Sequence, residues 1–225
     1  MKLNKNYRLV ISCDGGAASG KSTGAKLLAK KYKLNFLSSG MLYRYASYLI
    51  LKFEPKDNIK FIKQKFSRLN IKKISKINLH SQEISEHTSK IAKINKLRNI
   101  LKSYQIKYSI KNKRCIIEGR DISTKILPGS DIKFYFKCAL EIASRRRFKE
   151  LKMRGAKTSF NNVKKSLKMR NMRDKNRKHS PLLKHRDALE IDTGKLSISG
   201  MIKKMSIEVD KELKKKYGLR RTIKK

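Results

Sequence analysis

The sequence predicts an α/β fold in three layers, a parallel sheet of five strands flanked by helices on both faces. Three observations carry this expectation. Short apolar runs alternate with helical periodicities along most of the chain. A glycine-rich loop joins the first run to the first helix. The 225 residues suffice for one domain with an insertion, at roughly 150 residues per domain, and can bury a core without disulfides or metals. A sheet of this kind places ligands at the carboxyl ends of its strands, so chemistry is expected there.

The elements follow in order. Tyr7 to Cys13 (YRLVISC) reads as a buried strand ending in glycines. Lys21 to Tyr32 carries Ala25, Leu28, Ala29 and Tyr32 at helical spacing, and Asn35 to Leu37 is a brief second strand. Met41 to Phe53 is a helix with Leu42, Tyr45, Ala46 and Leu49 on one face, closed by Pro55. A helix over Ile59 to Phe66 follows, and the basic alternation IKKISKINLH then reads as a small hairpin. Ser81 starts a further helix that ends near Asn95, and Leu97 to Tyr108 continues helical. Arg114 to Glu118 and Asp131 to Phe136 are strands. Ala139 to Met153 and Phe160 to Arg177 are long basic helices separated by Gly155. Ala188 to Asp192 is the last strand, and Ser197 to Tyr217 is an amphipathic helix stopped by Gly218.

Fifty-nine Lys+Arg against 17 Asp+Glu give a formal charge of +42. A charge of that size attracts polyanions, and a basic nucleic-acid-binding protein is one class it admits. Lysine, isoleucine and asparagine all have A/T-rich codons and valine occurs only at Val10, Val163 and Val209, so compositional drift accounts for the same excess. The chain has no tryptophan and no interleaved aromatics of an RNA-binding sheet, which argues against specific nucleic-acid recognition. No apolar run approaches the ~18 residues of a membrane span, and the N-terminal segment is not a signal peptide. Three scattered cysteines form no CxxC and no even framework, which fits a reducing cytoplasm. The four histidines lack metal-ligand spacing.

After Asp14 come Gly15, Gly16, Ala17, Ala18, Ser19, Gly20, Lys21, Ser22 and Thr23, which fit G-x-x-x-x-G-K-[ST] between a strand and a helix. Small residues let successive backbone N–H groups curl around a phosphate, and the helix N-terminus adds partial positive charge. Lys21 has the reach for β/γ-phosphates, and the Ser22 hydroxyl can ligate Mg²⁺. Nucleoside triphosphate binding is therefore expected. No NKxD-type base-reading segment of a GTPase is present.

Three further segments accompany the loop: Leu37 to Arg44 (LSSGMLYR) after the second strand, Glu118-Gly119-Arg120-Asp121 after the third, and Arg170 to Arg177 (RNMRDKNR) followed by Pro181-Leu182. In this order they resemble the bacterial cytidylate kinases of the nucleoside monophosphate kinase family. The resemblance covers essentially the whole chain. It implies a P-loop kinase fold with a small monophosphate-binding insertion and a short lid. The implied layout is one kinase domain over 1–225, with a core at about 7–37, 112–140 and 186–217, a monophosphate-binding part at about 38–110, a lid at about 148–175 and a basic tail at 218–225. It also implies transfer of the ATP γ-phosphoryl group to CMP or dCMP with Mg²⁺, by a cytoplasmic monomer.

Residue by residue, the resemblance assigns ATP to Gly15 through Thr23 and Mg²⁺ to Ser22. It assigns the acceptor to Ser39, Arg44, Ser89, Arg98, Arg120, Asp121, Arg170, Asp174 and Arg177, and catalytic roles to Lys21, Glu118, Arg120 and Arg177. Converging guanidinium forks suit two facing phosphates, and phosphoryl transfer needs positioning and charge neutralisation more than covalent help. Arg170, Arg173 and Arg177 share a helix face with Asp174, so an ion-pair ladder is a second reading of that face. The sequence departs from the family pattern at Gly16, Ser22, Ser38, Glu118, Ser123 and Ala143. Another small-molecule P-loop kinase is the nearer alternative, and a basic nucleic-acid-binding protein the more distant one.

Overall fold

A computed structural model describes residues 7–74 and 77–218. The chain divides into two units, residues 1–37 with 112–225, and residues 38–111.

In the first unit, five strands alternate with helices: β1 (Leu9–Gly15), β2 (Asn35–Ser38), β3 (Arg114–Gly119), β4 (Ile132–Lys137) and β5 (Leu189–Asp192). They form one parallel sheet in the order β2-β3-β1-β4-β5. β1 is central and wholly buried, with Leu9 opposite Arg114 on β3 and Ile11 opposite Ile132 on β4. A strand of a parallel sheet buried on both faces reads as a continuous apolar run, as LVISC does. β1 lies two residues later than its apolar run suggests, at Leu9–Gly15, because Asp14 pairs with Gly119 and Gly15 with Phe136. The close approach needs Gly15: a Cβ there would lie 2.5 Å from the Phe136 carbonyl oxygen.

Successive strand residues face opposite ways, so Leu9, Ile11 and Cys13 join Ile132, Phe134 and Phe136 in one core. Ala25, Leu28, Ala29 and Tyr32 of helix α1 (Lys21–Tyr32) cover it. Met201, Met205, Val209 and Leu213 of the C-terminal helix, Ile198–Tyr217, cover it too, one turn apart. Phe134 and Phe136 are at most 1% exposed, and each such side chain contributes about 1.5–3 kcal/mol. A smaller cluster joins Ala17 of the glycine-rich loop to Val163 and Leu167.

The second unit is helical: α2 (Ser39–Phe53), α3 (Asn58–Ser67), α4 (Ile71–Ile74), α5 (Gln82–Ile91) and α6 (Asn95–Lys111). Ser38 caps α2, Asp57 caps α3 and Ser81 caps α5, each side chain accepting from a first-turn N–H. α2 therefore starts at Ser39, before the apolar periodicity begins at Met41. Leu42, Ala46, Ile62, Phe66, Leu97 and Leu101 are buried, and the Phe66 ring meets Tyr104 edge-on at 5.8 Å. The hairpin expected over IKKISKINLH is absent among its described residues, where Ile71–Ile74 form one helical turn. A lone two-stranded ribbon with no sheet to join is marginal in water, and Ile74 is buried instead.

The remaining helices belong to the first unit: α7 (Leu140–Met153), α8 (Phe160–Asn176) and the C-terminal helix, α9. A π-helical turn at Ile122–Ile126 between β3 and β4 was not legible as periodicity. Gly218 ends α9 in the left-handed conformation (φ 64°), and the basic tail beyond it lies outside the described residues. No helix among the described residues is long and apolar enough to cross a membrane.

Candidate active site

β1 ends in Gly15 and delivers the loop to the start of α1, where Gly20 takes a left-handed φ of 77° that a side chain would strain. Ala18 takes φ 54° without being glycine, a backbone cost localised in this loop. Lys21 is buried, with Nζ donating to the Gly16 carbonyl at 3.1 Å and lying 3.7 Å from Glu118 Oε2 on β3. Burial, and then the Arg120 guanidinium, push the Lys21 ammonium down to about 7. The Ser19 hydroxyl is buried inside the loop without a partner. Outside support comes from Thr193 after β5, whose Oγ1 donates to the Ser19 carbonyl at 3.0 Å and accepts from Arg146 Nη1 at 3.0 Å. From α8, Asn171 Oδ1 accepts from the Ala17 N–H at 2.9 Å.

The end of β3 carries Glu118, Arg120 and Asp121 toward α8. Arg120 Nε donates to Asp174 Oδ2 at 2.8 Å. Arg177 reaches Asp174 Oδ1 at 3.6 Å and Asp121 Oδ1 at 3.7 Å, and its Nε donates to the Ser180 carbonyl. Burial works to raise the Asp174 carboxyl, but Arg120 and Arg170 together hold it below the usual range. Of the expected ladder, Arg177 pairs with Asp174 within the helix, and Arg120 joins that carboxylate from outside it. Arg173 is exposed, as is Arg145, which pairs with Glu141 at 3.4 Å.

The expected residues of the helical unit sit on α2, α5 and α6. Ser39 opens α2 and is buried. Arg44 Nη1 donates to the Leu79 carbonyl at 2.9 Å and to Ser85 Oγ at 2.8 Å, while Ser89 Oγ donates to the Ser85 carbonyl at 3.3 Å. Arg98 donates to the Ala92 carbonyl at 3.2 Å, and its guanidinium lies 5.6 Å from the Tyr43 ring centre. Arg44 and Arg98 are both buried.

Among the described residues no cluster of three or more His, Cys, Asp or Glu could hold a metal by itself. The donors present, a serine hydroxyl at the helix start and a carboxylate beside the lysine, fit a magnesium ion that takes its other ligands from phosphates and water. Sequence reading missed Asp14, Asn171 and Thr193 as parts of the loop's surroundings. For Asp14 there was a signal, a carboxylate directly before the first glycine, and Asn171 lay inside the RNMRDKNR segment; for Thr193 there was none.

The family model for cytidylate kinase matches residues 11–211. The cytidylate kinase of Fusobacterium nucleatum is 33% identical over 214 residues, covering 90% of this chain and 98% of that protein. The cytidylate kinase of Rickettsia canadensis is 35% identical over 206 residues, covering 91% and 92%. Among solved structures, TT1252 from Thermus thermophilus aligns with a TM-score of 0.52 at 14% identity, covering 92% of this chain and 99% of that one. A gluconokinase from Sinorhizobium meliloti aligns at 0.50 and 12% identity, covering 95% and 98%. At those identities the two structures share the fold alone.

Proposed function

From the premise that this chain belongs to the cytidylate kinase family, we propose that it transfers the γ-phosphoryl group of ATP to CMP or dCMP, giving ADP and CDP or dCDP. One observation supports this reading most: a buried lysine on a phosphate loop shares a unit with two guanidiniums interlocked with Asp121 and Asp174. Gly15 through Thr23 hold ATP, with backbone N–H groups on the phosphates and Lys21 on the β/γ-oxygens. The Ser22 hydroxyl, with Glu118 nearby, would hold a magnesium ion, which would supply neutralisation of the phosphate charge.

Arg120 and Arg177 take the acceptor phosphate and the charge that develops as a phosphate oxygen of CMP attacks and ADP leaves. Arg170 and Asp174 hold the ribose hydroxyls, and Asp121 accepts from the cytosine amine. Ser39 and Arg44 meet the acceptor phosphate, and Ser89 and Arg98 meet its base. No nucleophilic side chain is required. The segment 148–175 serves as the lid, 38–110 as the monophosphate-binding part, and the enzyme works as a monomer.

A coupled assay with ATP and Mg²⁺ across nucleoside monophosphates tests the reading. CMP and dCMP are expected to turn over far faster than AMP, UMP or dTMP. If CMP and dCMP prove no better than AMP or UMP, the assignment fails.

A further inference from the structure

One buried carboxylate lies directly between the phosphate loop and the segment that carries Arg120 and Asp121. Asp14 is fully buried at the end of β1. Its Oδ1 accepts from the Ile122 N–H at 2.8 Å, and its Oδ2 accepts from the Ser123 N–H at 2.7 Å and the Ser123 hydroxyl at 2.6 Å. These three bonds open the π-helical turn Ile122–Ile126, whose cap residue is Asp121 itself. A carboxylate accepting from two backbone N–H groups and a hydroxyl has its oxygens fixed in direction, and so fixes the backbone that donates to them. One residue along the chain on one side is Gly15 of the phosphate loop. Just before Ile122 on the other side come Asp121 and, one further back, Arg120, which bonds Asp174 at 2.8 Å.

We propose that Asp14 is a positioning residue for the acceptor. It sets the backbone at 122–123 so that Arg120 and Asp121 are presented to the acceptor nucleotide at a fixed distance from the phosphate loop. The inference rests on the cytidylate kinase reading above, because it needs an acceptor at Arg120 and Asp121. It also gives Ser123 a purpose: where the family pattern has glycine, the hydroxyl here supplies a third bond to the same carboxylate.

Burial pushes the Asp14 carboxyl up to about 6, against the bonds from Ser123 and Ile122 that lower it. The titratable groups facing it are Asp121 from the turn and Tyr135 from β4, while Cys13, its neighbour on β1, points to the opposite face. On protonation the carboxyl presents a donor where it now accepts, and one of the three bonds is lost. The grip on the turn therefore weakens as pH falls through about 6.

Ser123→Ala removes one bond and leaves both backbone bonds in place, so it is the variant expected to fold. Asp14→Asn is the harsher companion. Full kinetics against CMP and ATP, each from pH 5.5 to 8, read the result. For Ser123→Ala the KM for CMP is expected to rise roughly threefold to tenfold at pH 7.5, with the KM for ATP unchanged. Losing a donor raises the Asp14 carboxyl further, so the acid limb of kcat/KM for CMP moves to higher pH than in the wild type. The CMP phosphate titrates in the same range, so the difference between variant and wild type is the quantity that counts. Asp14→Asn, if folded, is expected to raise the CMP KM further and to lose this part of the acid limb. Equal changes in both KM values, or an unmoved acid limb in Ser123→Ala, overturn the positioning role. A wild type that phosphorylates AMP or UMP as well as CMP sinks the cytidylate reading and this inference with it. An active, CMP-selective wild type with an unaffected Ser123→Ala sinks this inference alone.

Discussion

Site residues of the sheet unit bond one another as well as backbone carbonyls. Their mutual contacts run from Lys21 to Glu118, Arg120 to Asp174, and Arg177 to Asp174 and Asp121. In the helical unit Arg44 and Arg98 donate to helix-end and loop carbonyls, a serine hydroxyl and a tyrosine face. The reason lies in the scaffold. A parallel sheet gathers several strand ends at one edge, so charged groups from distant positions meet and must be matched. In the helical unit the acceptors are a loop carbonyl and a hydroxyl 35 and 41 positions from Arg44, and for Arg98 the Ala92 carbonyl at the end of α5, where a helix leaves carbonyls without an intrahelical partner. Substitutions in the first network should therefore be felt by the other site residues, and those in the second should stay within that unit.

The largest expected effect breaks the sheet-unit network at its lysine. Lys21→Ala should lower kcat by about 10²–10³-fold or more, and retained turnover in the coupled assay would contradict the phosphate-loop role. It also leaves Glu118 buried without that lysine. A proton readout accompanies the rate. The Lys21 ammonium sits at about 7 in the nucleotide-free protein, so near pH 8 it is mostly neutral, and a bound polyphosphate draws it back to the charged form. ATP binding near pH 8 should then take up a proton in the wild type and not in the variant, as calorimetry in buffers of different ionisation enthalpy would show. By the same sign, the unfolded chain binds this proton more tightly, and Lys21 makes the nucleotide-free fold more stable as pH rises from about 7 toward 10.5.

A smaller effect separates the two units directly. Arg120→Met and Asp174→Asn should be strongly non-additive in stability, with a coupling of about 1–3 kcal/mol in a double-mutant cycle followed by chemical denaturation. Arg98→Met combined with Asp174→Asn should add within about 0.5 kcal/mol, while Arg98→Met by itself raises the KM for CMP and leaves that for ATP unchanged. Additivity in the first pair would erase the distinction drawn between the units.

The smallest effect concerns backbone strain alone. Ala18 holds φ 54°, which costs a non-glycine residue roughly 1–2 kcal/mol. Ala18→Gly removes that cost but frees the unfolded chain by about 0.4–1 kcal/mol, so a net gain of about 0.5 kcal/mol is expected in thermal unfolding. A lower Tm would mean that the loop is not strained there.

Much of the site was legible because it is local. Gly15 through Ser22 lie in one stretch, and the need for small residues, a lysine and a hydroxyl at fixed offsets can be read from the letters in order. Arg170, Asp174 and Arg177 were legible as one helix face for the same reason. What joins them was not. Arg120 meets Asp174 across 54 positions, and nothing in either segment's periodicity names the other.

The sequence by itself determined the alternation of strands and helices, the phosphate loop and the helix start at Ser81, since each depends on spacing within a few residues. The tertiary structure decided the rest. It put β1 between β3 and β4, turned the residues after Asp121 into a π-helical turn, and tied Thr193 to the loop across 174 positions. It also brought Asp14 within 2.6 Å of a serine hydroxyl 109 positions away. The physical reason is common to all of these. A buried polar group takes whichever partner the packing brings to it, and which partner arrives depends on how strands are ordered in the sheet.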